Sequence, residues 1–172
     1  SQALASIEKL TARSVDKGKL TADAQKALLA RLLPATSLAT AAKGIDLCIE
    51  AIPEKMDLKV AVLSEVLTAA PDAVIGSNTS SLSITEIGAR IGAAPRTIGL
   101  HFFNPPPVME LLEIVRGLTT SEATIEACLG LAKTLGKTPI VVNDSPGFAT
   151  SRLGVIVGVE AIRMLEAGVA SV

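Results

Sequence analysis

The chain has 172 residues, 49% of them hydrophobic and 19% charged, with Lys+Arg 16 against Asp+Glu 17. That is the length of one ordinary domain, and a disordered chain is excluded, because disorder needs low hydrophobicity and high net charge. The balanced charge carries no electrostatic footprint for nucleic acid or an anionic membrane, and with 2% aromatics and no Trp or Tyr a base-stacking platform is not expected.

Residues 1–17 place Leu4, Ile7, Leu10 and, less regularly, Val15 at near-helical spacing, and Gly18 ends that helix. Thr21 opens a second helix with Gln25 as its capping-box partner, carrying Leu28, Leu29, Leu32 and Leu33 up to Pro34. The two form a hairpin over 1–33 with a basic connection. Asp46 to Ile52 reads as a short strand of mostly apolar residues, the kind buried on both faces of a parallel sheet. Pro53-Glu54 opens a helix with Leu58, Val62, Leu63, Val66 and Leu67 on one side, broken at Pro71-Asp72. A buried strand over 73–76 leads into the polar run Ser77 to Ser81, then a short helix from about Ser83 to Ile91, capped by Ser81 or Ser83. Strands at 97–101 and 111–115 flank Asn104-Pro105-Pro106-Pro107. A helix from about Ser121 to Leu135, a strand at 138–142, the turn Ser145-Pro146-Gly147-Phe148 and a long apolar helix from Ala149 to Ala167 complete the chain. Strands and helices alternating at this pace predict an α/β fold with parallel crossovers.

No apolar run reaches the roughly 18 residues of a membrane span. Ser1-Gln2-Ala3-Leu4 is not the charged start of a signal peptide. Cys48 and Cys128 lie in apolar segments with no partner at metal spacing, so both read as buried thiols of a reducing compartment, the cytoplasm or an organelle matrix.

Ligands of open α/β sheets bind outside the carboxyl ends of the strands, which directs attention to Glu50–Lys59, Ser77–Ser81, His101–Glu113 and Asp144–Arg152. His101 is the only histidine. It stands at a strand end that runs into a proline turn, and that turn can fold the next strand back beside it. A carboxylate there would fix the imidazole tautomer, as a general base requires. Glu110 and Glu113 are both available, and strand alternation puts them on opposite faces without saying which one meets His101. Alone, Ser77–Ser81 reads as a capped turn, and Glu54 and Lys59 as charges in the first turns of a helix.

Four motifs in order, Ile49-Glu50-Ala51-Ile52-Pro53-Glu54, Ser77-Asn78-Thr79-Ser80-Ser81, Gly99-Leu100-His101-Phe102-Phe103-Asn104-Pro105 and Asp144-Ser145-Pro146-Gly147-Phe148, resemble the L-3-hydroxyacyl-CoA dehydrogenase family, including its 3-hydroxybutyryl-CoA members. The resemblance covers essentially the whole chain. It implies a Rossmann-like, mostly parallel sheet with flanking helices, incomplete, over 1–147, and the first helix of an all-α C-terminal domain over 148–172. It implies NAD as cofactor, a 3-hydroxyacyl-CoA as substrate, and a homodimer formed through the C-terminal domain. The family histidine falls on His101, its orienting glutamate on Glu113, the substrate-binding serine on Ser80 and the following asparagine on Asn104. Ala51, Glu54, Lys59, Ser77 and Asn78 fall on positions facing the cofactor. A related β-hydroxyacid dehydrogenase with a non-CoA substrate, or a catalytically inactive homologue, shares parts of these motifs.

Three departures accompany the resemblance. Family members begin with a strand and a Gly-x-Gly-x-x-Gly phosphate turn, which these residues lack, and only the first helix of the C-terminal domain is present. A fragment of a longer enzyme is therefore expected, with little hold on NAD by itself and with its sheet split in two for want of central strands. The family's usual Asn-Arg after the Pro-Gly-Phe turn is Ser151-Arg152 here.

Overall fold

The computed structural model describes residues 2–171. Two compact units are present, one ending at Ala41 and one beginning at Ala42. In the first, α1 (Gln2–Asp16) and α2 (Ala22–Ala30) form the expected hairpin, and Gly18 turns the chain at φ +67, a conformation that costs glycine nothing. Thr21 caps α2 by accepting from the Ala24 amide at 3.1 Å. Gln25 is not its capping-box partner, since it stands one position too late. Its amide instead crosses the hairpin to the Glu8 carbonyl at 3.3 Å and the Thr11 hydroxyl at 3.0 Å. α2 also stops at Ala30 rather than running to Leu33, which is 88% exposed; Pro34 disfavours helical backbone in the residue before it. A five-residue α3 (Leu38–Ala42), unforeseen in the sequence, follows Ser37.

The second unit is built on β1 (Leu47–Glu50), β2 (Val74–Ser77), β3 (Thr97–Phe102), β4 (Leu111–Arg116) and β5 (Thr138–Asn143). They form one sheet in chain order, β1-β2-β3-β4-β5. All neighbours are parallel except β3 and β4. The parallel crossovers from β1, β2 and β4 are α4 (Met56–Ala69), α5 (Ile84–Arg90) and α6 (Glu122–Thr134), and α7 (Thr150–Glu166) follows β5. The β3–β4 link is short enough to return antiparallel without a crossover helix. The expectation of a split sheet is not met, because these five strands are contiguous neighbours. β1 is instead an edge strand, which corrects its reading as buried on both faces: Ile49 is 43% exposed and Cys48 only half-buried.

The core lies where Ile98, Leu100, Leu112 and Ile114 of β3 and β4 meet Ile125, Cys128 and Ala132 of α6. Burial pushes the Cys128 thiol up to about 11, so it behaves as a small apolar side chain. Ser83 and Ser121 cap α5 and α6 by accepting from the amides three residues on. α4 begins at Met56, two residues after Glu54, with Lys55 extended at its N-cap position.

Gly99 pairs with Val115 across β3 and β4, and a methyl at Gly99 would sit 2.6 Å from Val115 Cβ and 3.1 Å from Ile84 Cγ1. Neither is the free end of a flexible chain. Gly99→Ala is therefore expected to cost about 1–3 kcal/mol through overpacking. Urea unfolding should show a lower midpoint at unchanged slope; a midpoint equal to wild type would contradict this packing.

Candidate active site

Antiparallel pairing sets His101 directly opposite Glu113, so the two side chains leave the same face of the sheet. The His101 ring nitrogen Nδ1 lies 2.6 Å from Glu113 Oε2. Glu113 is wholly buried and His101 is 8% exposed. Glu110 lies outside β4 and is exposed, so the strand register brings Glu113, and not Glu110, to the imidazole.

Three further donors converge on Glu113. Its Oε1 accepts from the amides of Ala149 at 3.1 Å and Thr150 at 3.0 Å, and its Oε2 accepts from the Thr150 hydroxyl at 2.7 Å. The first amides of a helix lack intrahelical partners, and α7 has no side-chain cap of its own. Glu113 supplies that cap from β4. Burial pushes the Glu113 carboxyl up, but the bonds from Thr150, His101 and Ala149 outweigh it and hold the group below the ordinary carboxylate range. An ionised carboxylate only accepts, so the His101 proton sits on Nδ1 and Nε2 is left as the basic nitrogen. Phe103 and Phe148 flank the imidazole, with ring centroids 4.7 and 5.9 Å away.

A second network joins the ends of β1 and β2. Lys59, on α4, is 1% exposed, and its ammonium lies 2.6 Å from Glu50 Oε1, 3.1 Å from Glu54 Oε2 and 3.2 Å from the Ile52 carbonyl. Glu50 also accepts from the Ser77 hydroxyl at 2.6 Å and the Ile52 amide at 2.7 Å. Glu54 grips the following loop, accepting from the Thr79 hydroxyl, the Ser80 amide at 3.2 Å and the Ser81 hydroxyl at 3.0 Å. Burial raises the Glu54 carboxyl, and the bonds from Thr79, Lys59 and Ser81 bring it below its ordinary value. Asn78 completes the tie by accepting the Phe102 amide at 2.9 Å on its side-chain oxygen. The Ser77–Ser81 loop is thereby fixed to the same sheet end as His101.

The structure thus brings His101 and Glu113 into contact. It leaves Ser80 and Asn104 exposed just beyond the strand ends; the Ser80 hydroxyl has no hydrogen-bond partner among the described residues. Ala51 is exposed at the end of β1, and the Glu54 side chain is 39% exposed. Lys59 and Ser77 are interior, so their polar groups act on the sheet end through Glu50 and Glu54. Sequence reasoning missed the bonding of Glu50, Thr79 and Thr150. A carboxylate inside an apolar strand run, nine residues before a lysine, was the available signal for Glu50. Thr150 gave none, because its partner is 37 residues away. No group of side chains suited to a metal ion occurs among the described residues, and none of their helices is long and apolar enough to cross a membrane.

Residues 1–145 match the sequence pattern described as "3-hydroxyacyl-CoA dehydrogenase, NAD binding domain". The chain is 44% identical over 145 residues to a probable 3-hydroxyacyl-CoA dehydrogenase of Caenorhabditis elegans, covering 84% of this chain and 47% of the relative. It is 41% identical over 165 residues to a probable 3-hydroxybutyryl-CoA dehydrogenase of Bacillus subtilis, covering 95% and 57%. The chain therefore spans about half the length of these curated relatives. The crystal structure of (S)-3-hydroxybutyryl-CoA dehydrogenase from Ralstonia eutropha superposes with a TM-score of 0.94 at 42% identity, over 99% of this chain and 60% of that one.

Asp144, after β5, accepts from the Ser83 hydroxyl at 2.7 Å and the Thr85 amide at 2.8 Å. Burial raises its carboxyl, and the bonds from Thr85, Ser83 and the Ile84 amide hold it below its ordinary value. A carboxyl lower in the folded than in the unfolded chain stabilises the fold above its unfolded pKa of about 3.9, and that stability is lost as pH falls through the folded value. Asp144→Asn should be less stable than wild type at pH 7, with the gap closing below about pH 4. Denaturant titrations across pH check this; a gap that does not vary with pH would count against it.

Proposed function

The chain belongs to the 3-hydroxyacyl-CoA dehydrogenase family, matching its NAD-binding domain, and from that membership we propose that the protein interconverts (S)-3-hydroxyacyl-CoA and 3-ketoacyl-CoA with NAD. The observation that carries this reading is the buried His101–Glu113 pair, 2.6 Å apart at the carboxyl end of β3. Glu113 fixes the Nδ1 tautomer, and Nε2 takes the proton from the 3-hydroxyl group during oxidation and returns it in the reverse direction. Ser80, whose exposed hydroxyl has no partner among the described residues, and Asn104 bind substrate oxygen at the same sheet end.

The ends of β1 and β2 fit the nicotinamide half of NAD: Ala51 is exposed, Glu54 is partly open, and the loop beyond Ser77 is held rigid. NAD, when bound, supplies the hydride acceptor. No Gly-x-Gly-x-x-Gly turn occurs in the 172 residues, so no residue here is assigned to the pyrophosphate. In this reading residues 1–147 make up the NAD-binding part and 148–172 begin a helical domain that forms a homodimer and covers the substrate. The apolar residues Val155, Ile156, Val159 and Ile162, exposed on α7, support that division. The free thiols of Cys48 and Cys128 support a cytoplasmic or organelle-matrix setting.

The test is NADH formation by the full-length gene product with NAD and (S)-3-hydroxybutyryl-CoA. His101→Ala should lower kcat by roughly 10²–10⁴, and near wild-type turnover in that variant would sink the assignment. Glu113→Gln should also lower turnover, whereas Glu110→Gln, a change at an exposed site, should alter the barrier by no more than about 0.5 kcal/mol. The opposite ranking would refute the role given to Glu113.

A further inference from the structure

We propose that the Thr150 hydroxyl is a positioning group for the His101–Glu113 pair, fixing the plane of the carboxylate so that the imidazole holds a single tautomer. The role in catalysis rests on the dehydrogenase reading above; the geometric claim does not.

Glu113 Oε2 serves two donors at once, His101 Nδ1 at 2.6 Å and the Thr150 hydroxyl at 2.7 Å. Oε1 serves the amides of Ala149 and Thr150. Both amides belong to the backbone and grip one oxygen only, which leaves the carboxylate free to rock about that oxygen. Among the described residues, the hydroxyl is the one side-chain group besides His101 that holds the other. It carries a single proton, and a carboxylate offers only acceptors, so that proton is directed at Oε2.

The position of Thr150 makes this possible. Thr11, Thr68 and Thr134, inside their helices, direct their hydroxyls to the carbonyl four residues back, as threonines in helix interiors commonly do. Thr150 is the first residue of α7, so no helical carbonyl lies behind it. Its branched Cβ restricts the rotamer, and its hydroxyl turns to Glu113 instead. The neighbouring Ser151 is not among the groups that hold Glu113. It lines an apolar cleft with Pro146, Val155 and Ile156.

Because His101 is the only histidine, ¹⁵N NMR of the labelled 172-residue chain reads this imidazole without assignment. At a pH where the imidazole is neutral, the wild-type chain should show one tautomer, with the proton on Nδ1 and protected from exchange with water. Thr150→Val, nearly isosteric, should speed exchange of that proton by roughly ten- to a hundredfold, the size of one hydrogen bond to a charged group, and should mix the two tautomers. Thr150→Ala, the residue helices tolerate best, provides the same comparison if the Val variant does not fold. Thr150→Ser keeps the hydroxyl and should restore the wild-type signals.

Thermal melting of each variant separates positioning from helix capping. An unchanged imidazole spectrum, with or without loss of stability, would confine Thr150 to holding the start of α7 at most and overturn the proposal. So would a Ser variant that behaves like Val or Ala. The readout needs no turnover, so a failure here leaves the dehydrogenase reading intact, and an inactive gene product leaves this test intact.

Discussion

The carboxylate of Glu113 is the point on which the site depends. It comes from the middle of β4, is wholly buried, and accepts four hydrogen bonds from groups on β3 and on the start of α7. Removing such a group from water costs several kcal/mol, and each hydrogen bond to a charged group returns roughly 1.5–3 kcal/mol. The charge is therefore tolerable only with its partners in place. This makes the arrangement all-or-none: the imidazole, the helix start and the strand register hold one another through two oxygen atoms. It also explains how a helix whose N-cap position is Ala149 begins without a serine, threonine or aspartate cap of its own.

A second buried charge system does the same for the neighbouring strand ends. Glu50 holds Lys59 and Ser77, Lys59 holds Glu54, and Glu54 holds the Thr79–Ser81 loop. Replacing a buried ion pair by apolar residues is often neutral or stabilising, so stability alone does not account for it. Its geometric effect is to order a loop of small polar residues that would otherwise have only local contacts. Asn78 then ties that loop to β3. The exposed Ser80 hydroxyl and the His101 imidazole are consequently referenced to one frame.

The sequence discloses the fold better than the site. Apolar runs bounded by proline, glycine and polar residues mark all five strands, because an interior sheet needs such residues whatever it binds. His101 is legible from its place at a strand end. The choice between Glu110 and Glu113 is not legible from alternation, since it depends on the pairing register across the Asn104–Pro107 turn, a property of two strands together. The family resemblance points to Glu113, and the register in the structure brings that residue to the imidazole. Lys59 reads as a charge in the first turns of a helix, and the one hint of its burial is Glu50, a carboxylate inside an apolar strand run nine residues earlier. Gln25 fails as a capping partner for a simpler reason, an offset of one residue, and its contact across the hairpin is again non-local. α4 starts at Met56, later than its sequence suggests, and Glu54, left before it, reaches three groups of the facing loop. Local pattern fixes elements; contacts between elements decide which polar side chain does what.

The turn before α7 shows what this arrangement costs. Gly147 and Phe148 both adopt left-handed backbone, at φ +75 and φ +48. Glycine does so freely, but for phenylalanine the conformation is strained by about 1–3 kcal/mol. Two gains offset it. The Phe148 side chain is buried with its ring edge-on to His101, and the reversal aims the next two amides, those of Ala149 and Thr150, at Glu113 Oε1. A relaxed residue at 148 would send the chain elsewhere and leave the carboxylate three donors short, since the Thr150 hydroxyl would go with the two amides. The strain at Phe148 and the low carboxyl of Glu113 are thus two sides of one arrangement, in which a backbone held off its preferred angle keeps a buried charge satisfied next to the only imidazole in the chain.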